Sequence, residues 1–191
     1  MARPKSFDEE AVLDRAVELF WERGYEGTSL SDLETHLGLG RQSLYNVFGD
    51  KHQLFLKALD RYRREMGEAS LAPLNVPDAG LDAIRNFFQW EVEYLTTTRG
   101  RPGCLVSNTI SERAAQDPEA LLRCNHARDT LERAFRQALT RAKQKGELPK
   151  RLDVEATATL LVIQIAPAPF AQAACCSCER ADRLRKMTCH D

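Results

Sequence analysis

The sequence predicts an all-α protein with an N-terminal head of three short helices, a linking helix and a C-terminal helical body. Three observations carry this prediction. Apolar residues recur at helical spacing over most of the 191 residues, and strand signals are absent. Two short amphipathic segments flank a tight glycine turn, Gly38-Leu39-Gly40. A break in the helical pattern, Ala72-Pro73-Leu74-Asn75-Val76-Pro77-Asp78-Ala79-Gly80, has the loop chemistry of a boundary. The expected division is a head at residues 1–64 and a body at residues 65–191.

In the first helix, Ser6 is read as the N-cap with Glu9 reaching back to it, and Leu13, Ala16, Val17 and Phe20 form the buried stripe. Gly24 ends this helix. Thr28 or Ser29 caps the second, whose inward residues are Leu30, Leu33 and Leu37. The third spans about residues 41–48, with Leu44, Val47 and Phe48 as its core face and Gly49 closing it. Asp50 caps the fourth with Gln53 completing a box, and Phe55, Ala58, Leu59 and Tyr62 are its stripe. After the break, Ile84, Phe87, Phe88, Val92 and Leu95 are the apolar positions of a helix over residues 81–98. A turn at residues 99–103 leads to a short helix over 104–115. Asp117-Pro118 then opens a long helix that ends near Lys145-Gly146, with Pro118 at its first position. Asp153 caps a last helix that runs to about residue 165.

The third segment carries the most chemistry. At 100° per residue, Gln42 and Asn46 point away from its core face, and Ser43 and Tyr45 flank it. A short helix braced by a neighbour and lined with hydrogen-bonding side chains suits the DNA major groove, although the same pattern is also that of a solvated face. Net charge does not help the DNA reading. Residues 1–65 hold 10 Lys/Arg and 12 Asp/Glu, so affinity depends on how charges are placed, with Arg3, Lys5, Arg41 and Lys51 the cations best positioned. His36 and His52 are expected on helix surfaces.

No apolar run approaches the roughly 20 residues of a membrane span, and the start has no secretion signal, so a cytoplasmic protein is expected. No Gly-rich phosphate loop, H-E-x-x-H, G-x-S-x-G or paired-acid constellation appears, and no enzymatic activity is expected. The cysteines are Cys104, Cys124, Cys175, Cys176, Cys178 and Cys189. In a reducing cytosol they read as free thiols or ligands. Cys175 and Cys178 have C-x-x-C spacing, but with Cys189 and His190 they match no common zinc site, so neither metal nor cofactor is expected.

The stretches Phe20-Trp21-Glu22-Arg23-Gly24-Tyr25-Glu26-Gly27-Thr28-Ser29 and Leu44-Tyr45-Asn46-Val47-Phe48-Gly49-Asp50-Lys51 resemble signatures of the TetR-type transcriptional regulators. The likeness covers residues 6–64, and Gly103-Cys104-Leu105-Val106-Ser107-Asn108 resembles one subgroup more loosely. It implies a helix-turn-helix head on an effector-binding and dimerisation body, acting as a homodimer on double-stranded operator DNA. It further implies a repressor that a small molecule releases by tilting the linking helix. Carried over residue by residue, Arg41, Gln42, Ser43, Tyr45 and Asn46 would face DNA. Arg41 can be bidentate to guanine and Gln42 or Asn46 to adenine, Tyr45 and Lys51 would hold phosphates, as would Thr28 at the start of the second helix, and Ser29 beside it is also expected to bind DNA. The rival reading is a thiol- or ligand-responsive helical binding protein whose head has weak or lost DNA binding.

For the effector, Phe87, Trp90 and Tyr94 share one helix face, with Cys104 and Asn108 near, and Glu112, His126 and Arg133 as polar partners. Core packing explains the aromatics equally well. Cys104 reads either as a thiol sensor at a helix N-terminus, with Arg99 and Arg101 close in sequence, or as a small buried residue. Residues 166–191, with Pro167, Pro169 and clustered cysteines, depart from the amphipathic ending the resemblance implies. They are read as a frameshifted or divergent C-terminus, which places dimerisation in question.

Overall fold

The computed structural model describes residues 7–98, 100 and 102–165. Among them are eight helices and no strand: α1 (Glu9–Arg23), α2 (Leu30–Leu37), α3 (Arg41–Phe48), α4 (Lys51–Leu71), α5 (Leu81–Thr96), α6 (Leu105–Arg113), α7 (Pro118–Gln144) and α8 (Val154–Ile163). No helix among the described residues is long and apolar enough to cross a membrane. Residues 166–191, with the four cysteines and two prolines singled out there, lie outside the described residues, as do Arg3, Lys5, Ser6, Arg99 and Arg101.

Local chemistry sets most helix ends. The cap of α1 is Asp8 rather than Ser6, because its carboxylate accepts from the amides of both Glu10 and Ala11. Ser29, not Thr28, caps α2, in a reciprocal box with Asp32. Asp50 accepts from the Gln53 amide and Asp153 from the Ala156 amide in the same manner. Gly38 ends α2 in the left-handed conformation, at φ 66 and ψ 29, which only glycine adopts without strain.

The apolar faces meet in two cores. The first joins Val12, Ala16 and Phe20 of α1, Leu33 and Leu37 of α2, Leu44 and Phe48 of α3, and six residues of α4 from Leu54 to Tyr62. It does not stop at the head, since Leu105 and Val106 of α6 and Ala120 and Cys124 of α7 belong to it. The second core lies between α5, α7 and α8, around Phe87, Phe135 and Leu139. Residue 64, the expected edge of the head, falls inside the unbroken helix α4. Leu13, Leu30 and Val47 are only partly buried at the rim of the first core. Val92 is 63% exposed, because it stands about 140° round α5 from the buried Phe87.

Candidate nucleic-acid interface and effector cavity

Leu44 and Phe48 root α3 in the first core, and every other turn-facing position follows from that anchoring. Arg41, Gln42, Ser43, Tyr45 and Asn46 are all exposed, Tyr45 to 40%. Their ties are local. Arg41 Nε lies 2.9 Å from Glu34 on α2, and Gln42 donates to Asn46 Oδ1 at 3.0 Å. Such bonds between exposed side chains are easily exchanged for others. The helix therefore presents a row of donors and acceptors with little to hold them back.

Two of the expected phosphate contacts are placed differently. Thr28 is fully buried, and its hydroxyl donates to the Gly24 carbonyl at 2.7 Å, so its side chain serves the turn rather than an external anion. The Ser29 hydroxyl is exposed but engaged with Asp32. Lys51 is half-buried, with its ammonium 4.1 Å from the centre of the Tyr25 ring. Burial lowers its pKa, the Arg113 charge adds to this, and Glu26 and Glu112 work against it.

The turn between α1 and α2 is locked to the body. The Glu112 carboxylate, at the end of α6, accepts from the Tyr25 amide at 3.0 Å and the Glu26 amide at 2.8 Å. Gly24 has φ +72, and a Cβ there would sit 2.8 Å from a Glu112 oxygen, so glycine is required twice over. Arg113 pairs with Glu26 and lays its guanidinium 4.3 Å over the Tyr25 ring. His52 is no free surface residue. Its Nε2 meets Asp117 Oδ2 at 2.9 Å, tying the first turn of α4 to the cap of α7. Burial tends to raise the Asp117 carboxyl, but the Ala120 amide, His52 and Arg113 together hold it below the usual carboxylate range.

Between the cores lies a cavity of about 590 Å³, lined by α4 from Tyr62 to Leu71, by α5, α6 and α7, and by the end of α8. Phe87, Trp90, Tyr94 and Cys104 all line it. Asn108 does not, because its amide turns to the Pro102 carbonyl at 2.8 Å, and neither do Glu112, His126 or Arg133. Trp90 and Tyr94 stack at 5.1 Å, and Tyr94 is also nearly parallel to Trp21 of α1 at 6.3 Å. The Trp21 indole is fixed by donating to the Gly103 carbonyl at 2.8 Å. This ring series leads from the head to the cavity wall.

Cys104 is half-buried at the N-cap of α6, against the Tyr62 hydroxyl. Burial raises the Tyr62 pKa well above normal, and Cys104 adds to it. Cys124 is buried behind it, and burial pushes its thiol up to about 12, which makes it a packing residue. Sequence reasoning missed Glu91, which lines the cavity and whose pKa burial raises to about 7. The signal was present as an acid one turn from Phe87 and from Tyr94, on an otherwise aromatic stripe.

A helix-turn-helix head with an open polar helix, set on a helical body that lines a cavity, is the architecture of a DNA-binding transcriptional regulator. The model for bacterial regulatory proteins of the tetR family matches residues 12–58, and that for the tetracyclin repressor-like C-terminal domain matches residues 80–187. The second span includes residues 166–187 of the tail expected above to be frameshifted or divergent. The chain is 43% identical over 148 residues to the uncharacterized HTH-type transcriptional regulator YezE of Bacillus subtilis (strain 168), covering 78% of this chain and 76% of that protein. It is 33% identical to the HTH-type transcriptional repressor ComR of Escherichia coli (strain K12), covering 83% and 76%. A cysteine mutant of the TetR family regulator CifR, complexed with 26-bp double-strand operator DNA, superposes with TM-score 0.70 at 28% identity, covering 91% of this chain and 95% of that one. The chain belongs to the TetR family of transcriptional regulators.

Proposed function

We propose that the protein is a cytoplasmic homodimeric repressor, released from its operator when a small molecule fills the cavity between α4 and α8. In this reading residues 1–64 read DNA, and residues 65–191 bind the effector and the second subunit. The exposed row Arg41, Gln42, Ser43, Tyr45 and Asn46, on a helix held by Leu44 and Phe48, carries the DNA reading. Arg41, Gln42 and Asn46 contact base edges, and Tyr45, Lys51 and the amides at the start of α2 hold phosphates. ComR, a similar protein, is a repressor, and CifR takes operator DNA in the same fold. Leu160 of α8, exposed at 57% and outside the cavity lining, supports a partner on that face.

Release follows from what the cavity touches. Its walls include α4, which carries the head, and the first two turns of α6, whose far end grips the α1–α2 turn through Glu112. A ligand that favours one setting of α4 and α6 biases the heads away from the spacing DNA requires. Titrating salt into the complex with the region upstream of its own gene tests the reading. Affinity is expected to fall steeply with salt as counterions are released, more on that region than on random DNA. A flat salt response and equal affinity for random DNA would favour the rival binding protein without DNA grip.

A further inference from the structure

Among the described residues, the cavity is lined by a carboxylate that packing does not explain. Glu91 sits on α5 between Phe87 and Tyr94 in the helical sense, lines the cavity, and makes no hydrogen bond or ion pair with any described residue. Glu91 is half-buried, and a carboxylate partly withdrawn from water without a partner is costly, so a counter-charge arriving from outside would stabilise it. Burial lifts its pKa to about 7, and no cation among the described residues pulls it down. The other charged groups lining the cavity are Arg63, Arg64 and Glu68 of α4 and Arg128 of α7, and its remaining titratable groups are Tyr62, Tyr94 and Cys104. Arg63 pairs through Nη1 with Asp60 at 2.8 Å, although its buried Nε has no partner among the described residues, and Arg64 and Arg128 are exposed. Beside Glu91, Trp90 stacks on Tyr94 with one face, while its other face meets no ring of the described residues.

We infer that the effector is a hydrophobic organic cation, with its charge held by Glu91 and an apolar or aromatic portion against Trp90. This rests on the effector reading above and narrows it to a chemical class. Binding forms no covalent bond. It exchanges the hydration of a carboxylate and a soft cation for an ion pair flanked by an aromatic face, which attracts positive charge.

Calorimetric titration of the full chain with three probes of one shape tests this: tetraphenylphosphonium (cation), triphenylphosphine oxide (neutral) and tetraphenylborate (anion). The cation is expected to bind at least about tenfold more tightly than either other probe. That preference should strengthen from pH 6 to pH 8 as Glu91 ionises, and Glu91→Gln should abolish both preference and pH dependence. Equal affinity for all three, tighter binding of the borate, or a cation preference that survives in Glu91→Gln overturns the inference. So does a Glu91→Gln protein that thermal melts show to be folded yet whose selectivity is unchanged. A chain that binds its upstream DNA but ignores the cation fails this inference alone, whereas one that takes the cation but shows no DNA preference fails the repressor reading.

Discussion

On α3, Gln42 bonds to a neighbour four residues along and Arg41 to one seven residues back. At the α1–α2 turn, Glu112 reaches amides 87 and 86 residues away, and Arg113 and Asp117 close the same joint. Both regions use Arg and Tyr, joined on α3 by Gln, Ser and Asn and at the joint by Glu, Asp and His. On α3 these groups are exposed and locally paired, ready to exchange partners for a ligand. At the joint all but the exposed Glu26 are partly or wholly buried, and most pair across the chain, which suits them to transmit position. A polar side chain thus serves recognition where its bonds are short-range and wet, and serves coupling where they are long-range and sheltered.

Asp117→Ala should strain this contrast most. It removes the cap of α7, the His52 bond and the Arg113 contact from a site that is 3% exposed, and a loss of about 3 kcal/mol is expected in urea unfolding. Because the folded carboxyl is held below its ordinary range, its contribution is present at neutral pH and lost as pH falls through the folded pKa. Wild type and variant should therefore converge in stability under strong acid. Glu112→Ala leaves two amides without their acceptor and should cost about 2 kcal/mol. It should also dull effector-driven release from DNA while leaving effector affinity nearly intact, as a gel-shift titration would show.

Glu91→Gln has the opposite sign. A carboxyl raised to about 7 from 4.5 binds its proton more readily in the folded chain, so stability falls as pH climbs between those values. The variant should be more stable than wild type by about 1 to 2 kcal/mol at pH 8 and equal to it at pH 4, read by thermal melts. Asn46→Ala should change stability least, within about 0.5 kcal/mol, yet relax base preference by about 1 to 3 kcal/mol in competition binding. Lys51→Ala should weaken all sequences alike and reduce the salt slope by about 1. If Asn46→Ala destabilises as much as Glu112→Ala, the distinction between the two regions fails.

The head was legible because its determinants are local. Ser29, Asp50 and Pro118 sit at their helix starts, and Leu33, Leu44 and Phe55 sit on the faces that periodicity assigns. Cap competition was less legible. Ser6 and Thr28 were plausible, but Asp8 reaches two amides and Thr28 finds a carbonyl at Gly24. The joint was illegible, because nothing near Glu112, His52 or Asp117 tells of partners 65 or more residues away. In the cavity, spacing brought Phe87, Trp90 and Tyr94 to one face, whereas the turn of Asn108 toward Pro102 is a tertiary choice.

The near-parallel run of Trp21, Tyr94 and Trp90 has an optical consequence. These are the only two tryptophans in the chain, and both lie against the same tyrosine. Held against one tyrosine, both indoles sit in fixed asymmetric surroundings, which gives them ellipticity in the near-ultraviolet. The molecule thereby carries an unlabelled chromophore whose ellipticity registers any slip between its first and fifth helices.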